Sequence, residues 1–97
     1  MTDVVGPGSL KLVIGWSPDR TLRDALHESL RTQVSENDVR HLYGEAFLVY
    51  TDAEPAAIRD WLAPLLAQDE SVFVVEFDSW SGSGSSIERD WLLRRGH

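Results

Sequence analysis

Glu76 and Asp78 stand two residues apart at the end of an apolar run. On a strand that spacing puts both carboxylates on one face, the arrangement from which acid–base pairs are built. The antiparallel pairing argued below sets them near Lys11, so the same spacing also describes a solvated cross-strand charge pair, and this is the reading it favours. A second polar pair, Ser17 and Asp19, follows the first apolar run. Asp19 precedes a helical pattern, where a short carboxylate can accept the free N–H groups of the first turn. A serine needs a positioned base to become a nucleophile, and the sequence sets none beside Ser17 or Ser85. His27, His41 and His97 lack the i, i+4 spacing of a metal-binding helix and are expected to be surface or half-buried side chains. Gly82-Ser83-Gly84-Ser85-Ser86 precedes a helical segment as phosphate-binding loops do, but has no lysine after its glycines and is expected to be a connector.

Four tryptophans are the other residues able to recognise something. Trp16 and Trp61 fall within apolar patterns and are expected in the core. Trp80 and Trp91 lie near the end of the chain with Ile87 and follow Phe77. These four residues, Phe77, Trp80, Ile87 and Trp91, are the candidate protein interface, because large amphipathic rings dominate binding energy.

The elements that must position these groups follow from periodicity. Leu10, Leu12, Ile14 and Trp16 alternate along a first strand. Pro18 ends it; Asp19 or Thr21 is expected to cap a helix carrying Leu22, Ala25, Leu26 and Leu30 to about Gln33. Val39–Leu42 and Ala46–Thr51 are expected to form a hairpin turning at Gly44. Asp52 or Glu54 then caps a helix with Pro55 in its first turn and Ile58, Trp61, Leu62, Leu65 and Leu66 on one face, with a break threatened at Pro64. Val72–Phe77 is a fourth strand. Ser85 to Glu88 has capping-box spacing before a short last helix. The order strand, helix, strand, strand, helix, strand is that of a ferredoxin-like βαββαβ α+β domain, with sheet order 4-1-3-2 and a short C-terminal helix added. Both main helices then share one face. The other is expected to be closed by the last helix, by Trp80 or by a second copy.

Length and composition set the outer limits. A chain of 97 residues is expected to form one domain, residues 9–97, behind a loose leader at 1–8. A hydrophobic content of 42% supports a packed core. A net charge of −7 disfavours nucleic acid and favours a basic protein partner or none. Without cysteine there can be no disulfide or thiolate chemistry. No apolar run is long enough to span a membrane, and the first residues lack the order of a signal peptide, so a soluble cytoplasmic protein is expected.

From about Leu10 to Leu93 the chain resembles the small CRISPR-associated Cas-two family, and especially its SinR-like relatives outside CRISPR loci. The stretches that carry the resemblance are Gly44-Glu45-Ala46-Phe47-Leu48-Val49-Tyr50-Thr51-Asp52, the helix Ile58 to Leu66, and Asp69-Glu70-Ser71-Val72-Phe73-Val74-Val75, with Trp80-Ser81-Gly82 and Trp91-Leu92. The resemblance implies a ferredoxin-like fold, a homodimer and a bacterial setting such as defence. It also implies that members cleaving phosphodiesters with a metal ion carry an aspartate at the end of strand one. That position holds Ser17 here, and a neutral hydroxyl is a poor ligand for Mg²⁺. The expectation is a non-catalytic homodimeric interaction module without a cofactor. The alternatives are a Mg²⁺-dependent nuclease using Asp19 and an acidic immunity or antitoxin protein that binds a basic toxin.

Overall fold

The computed structural model describes residues 8–85 and 87–95; the expectations for the leader through residue 7, for Ser86 and for His97 lie outside them. Period-two apolar runs become β1 (Ser9–Trp16), β2 (Val39–Tyr43), β3 (Ala46–Thr51) and β4 (Ser71–Phe77). The helical patterns become α1 (Arg23–Gln33), α2 (Pro55–Leu62) and α3 (Arg89–Arg94). All pairings are antiparallel and the sheet order is β2-β3-β1-β4, the expected order read from the opposite edge. The result is a small α+β domain whose topology is consistent with a ferredoxin-like fold. No helix among the described residues is long and apolar enough to cross a membrane.

The sheet is apolar on both faces, and each face has its own core. On one, Leu22, Leu26 and Leu30 of α1 and Ile58 and Leu62 of α2 pack on Val13, Val39, Phe47 and Val49, with Trp61 half-buried at the margin. On the other, Trp91 and Leu92 of α3 pack on Leu10 and Leu48. α1 approaches β1 closely at Gly15, where a Cβ would lie 2.6 Å from Leu26 Cδ1. Gly44 turns the β2–β3 hairpin at φ +54°, a conformation that a side chain resists.

Several local expectations give way to tertiary contacts. Asp19 does not cap α1, and Thr21 stands one residue before the N-cap position, where its Oγ1 still accepts the Arg23 N–H of the first turn at 3.3 Å. The N-cap position is Leu22, whose N–H donates 3.0 Å to Glu45 Oε2 from the hairpin. Glu54 stands before α2 without a side-chain cap bond, while Pro55 takes the first turn as expected. Pro64 ends the α-helical hydrogen bonding: α2 stops at Leu62 and a 3₁₀ turn, Ala63–Leu65, follows. Glu88 is itself the N-cap of α3 rather than the third position of a capping box, and its carboxylate meets Arg40 at 3.1 Å.

The tryptophans depart furthest from expectation. Trp16 belongs to the Leu10/Leu12/Ile14 face, but α3 reaches only part of that face. Six helical residues extend about 9 Å, whereas the eight of β1 extend about 27 Å. Ile14 and Trp16 are consequently 41% and 58% exposed, while Trp91 is 1% exposed. Trp91→Ala should therefore cost about 3–5 kcal/mol of unfolding free energy, and Trp16→Ala no more than about 0.5 kcal/mol. Chemical denaturation of the two variants reads the contrast, and equal losses would contradict this assignment of the two rings.

Candidate functional site

The end of β1 holds the position where the resemblance looks for a metal ligand. Ser17 Oγ donates to Glu70 Oε2 at 2.9 Å and accepts the backbone N–H groups of Asp19 and Arg20, both at 3.2 Å. Glu70 comes from the residue before β4, which the antiparallel β1–β4 register brings alongside. Arg20 clamps it with two bonds, Nε to Oε2 at 2.6 Å and Nη2 to Oε1 at 2.7 Å. The N–H of Ala67 donates to Oε1 at 2.7 Å. Arg20 Nη2 also donates to the Leu65 carbonyl at 2.9 Å, so one guanidinium joins the α1 approach to the β4 approach.

Both Glu70 oxygens are thus occupied, and its side chain is 3% exposed. Arg20 is the main cause of its acidity, with the Ala67 N–H and the Ser17 hydroxyl assisting against desolvation. Together they lower the carboxyl from 4.5 to about 2. The Arg20 guanidinium is raised in turn, chiefly by its hydrogen bond to Glu70. Asp19 is exposed and enters this network through its backbone N–H. Chemically the arrangement is a staple between strand ends, in which the Ser17 hydroxyl faces a carboxylate already committed to a guanidinium. Among the described residues no group of three His, Cys, Asp or Glu side chains is placed to hold a metal ion.

Lys11 lies at the opposite end of β1, directly across from Glu76 as the register requires. It is 2% exposed. Its Nζ donates to Ser9 Oγ at 2.7 Å and to the Thr51 carbonyl at 2.8 Å, and Ser9 Oγ donates onward to Glu76 Oε2 at 2.7 Å. The expected solvated charge pair is instead a relay through Ser9. Asp78 lies beyond the end of β4, exposed. His27 and His41 are half-buried and flank the Phe47 ring at 5.3 and 5.0 Å. Burial lowers the His27 pKa, with the Arg31 charge adding to the effect. His41 Nε2 lies 2.7 Å from the Gly44 carbonyl, which can only accept, so Nε2 carries a proton.

The residues singled out for an interface gather around the far face of the sheet. Phe77, Trp80 and Ile87 are half-buried and, with Leu12, Leu42 and Leu92, line an open apolar cavity of about 260 Å³ beside α3. Trp91 is inside. Its Nε1–H donates to the Asn37 carbonyl at 2.7 Å, and the guanidinium carbons of Arg95 and Arg40 lie 4.4 and 5.6 Å from its ring centroid. Arg95 is fixed in turn by Asp38 at 2.8 Å. The exposed aromatic residues of this face lie farther along: Trp16; Phe73, which is 63% exposed and directly opposite Ile14; and Tyr43 at the β2–β3 hairpin, 77% exposed and opposite Ala46. Sequence reading missed Phe73 because it sits in an apolar strand. Its signal was the edge position of β4, where a side chain has a neighbouring strand on one side only.

The acid limb of stability should report the staple. Glu70 has a lower pKa folded than unfolded, so its contribution is complete above about 4.5 and disappears as pH falls toward about 2. Glu70→Gln should be less stable than the parent at neutral pH, with the difference shrinking across that window in thermal melts followed by circular dichroism. A difference that does not change with pH would remove the staple's ionic character. No family model, curated protein or solved structure matches the chain.

Proposed function

We propose that this chain is a non-catalytic, ferredoxin-like protein-interaction module of the Cas-two/SinR-like kind, working as a homodimer in a bacterial defence setting. The observation that carries the interaction reading is the apolar strip of Ile14, Trp16 and Phe73, left uncovered where α3 ends and bordered by the outer margin of β4. Exposed aromatic groups at a sheet edge are what a partner would desolvate with most gain. The non-catalytic part is supported by Ser17, whose hydroxyl is engaged with Glu70 at the strand end where the resemblance implies a metal-binding aspartate. The family and setting rest on the resemblance in the hairpin, the second helix and the fourth strand. Phe77, Trp80 and Ile87 extend the apolar surface toward α3, whereas Trp91 supports it from beneath.

The charge of −7 favours a second reading, in which the acidic surface meets a basic protein. That association would weaken steeply as salt rises, while contact through the apolar strip would not. Sedimentation velocity over a wide concentration range tests the first reading. The parent should dimerise, and Trp16→Ser with Phe73→Ser should weaken the dimer about tenfold or more. A parent that stays monomeric throughout would end the homodimer reading.

A further inference from the structure

We infer that two copies join edge to edge along β4, antiparallel about a two-fold axis at Val74, so that their sheets become one of eight strands. This deepens the homodimer reading and rests on it. The two margins of the sheet differ in a way that bears on this. β2, at one edge, is five residues long and breaks register between His41 and Tyr43. Such an irregularity discourages a further strand. β4, at the other, is Ser-Val-Phe-Val-Val-Glu-Phe, contains no proline, glycine or lysine, and pairs with β1 without a register break. Among the described residues β1 is its only strand partner. A regular apolar edge of this kind presents unpaired N–H and C=O groups to any strand that fits.

The strand that fits is its own copy. With Val74 opposite itself, Phe73 faces the partner's Val75, Ser71 faces the partner's Phe77, and Val72 faces the partner's Glu76. Cross-strand neighbours share a face, so Phe73 joins apolar neighbours on the side that carries the Ile14–Trp16 strip. On the helix side, the only charge in β4 lands beside Val72. There Arg59 of α2 lines a shallow cavity with Pro55, Ala56, Val72 and Val74. Among the described residues Arg59 pairs with the adjacent Asp60, in a surface contact at 3.0 Å. The two-fold therefore supplies a carboxylate to Arg59 twice, once on each side, and separates the two Glu76 side chains from each other. An isologous contact requires this kind of self-complementarity.

Two measurements test the register. The chain has no cysteine, so Val74→Cys introduces a single thiol. Antiparallel partners have Cα atoms about 4.5 to 5.5 Å apart, within disulfide reach. Mild oxidation should give a covalent dimer of V74C much faster than of Ser83→Cys, which sits in an exposed loop. In sedimentation, Arg59→Glu and Glu76→Arg should each weaken the dimer, and the double variant R59E/E76R should restore it. Circular dichroism melts of the three charge variants confirm that each is folded. A dimeric parent in which V74C cross-links no faster than S83C and the charge swap restores nothing overturns this edge pairing and leaves the homodimer reading standing. A monomeric parent overturns both.

Discussion

A sheet that presents leucine, valine and phenylalanine on both faces has to be covered twice, and the described residues supply three α-helices of unequal size for the purpose. α1 and α2 cover their face across Val13, Phe47 and Val49. The far face depends on the short α3, and α3 depends on Trp91. Six residues hold too little helix propensity to stand alone. The ring seated on Leu10 and Leu48, its N–H on the Asn37 carbonyl, and the Arg95–Asp38 pair beside it give that segment a fixed place. What α3 cannot reach defines the exposed strip, so one constraint of length produces both the second core and the surface left for association.

The two ends of β1 show how the same antiparallel register serves different chemistry. At the Ser17 end an arginine–carboxylate clamp gathers the approaches to α1 and β4. At the Lys11 end a cation is taken into the interior and satisfied by a hydroxyl and a carbonyl, with Glu76 one bond further out. A buried charge is tolerated only with such partners. Both arrangements hold elements together, and both use residues that on composition alone would have been candidates for catalysis.

Periodicity carried the element order well, because the apolar spacing of β1, β3 and α2 is strong enough to fix both their type and their mutual order. The strand order followed from handedness and short connections. The start of α2 was legible in Glu54-Pro55, but that of α1 was not: the N–H of its N-cap residue Leu22 is satisfied by Glu45, 23 positions away, and no local pattern encodes a carboxylate delivered from a distant hairpin. The fates of Trp16 and Trp91 were not legible for a related reason. Alternation tells which residues share a face but not how far along that face a covering helix extends, and that depends on where α3 ends. Arg20 and Glu70, 50 positions apart, meet only because β1 and β4 run in opposite directions.

Lys11 is the only lysine in the chain, and it is enclosed between β1 and the end of β3. The folded domain therefore offers almost no side-chain amine to acylating reagents or to enzymes that conjugate to lysine. Its cationic surface is made of guanidinium groups, which do not undergo that chemistry under the same conditions. Modification at this position would amount to a record that the strand had come apart.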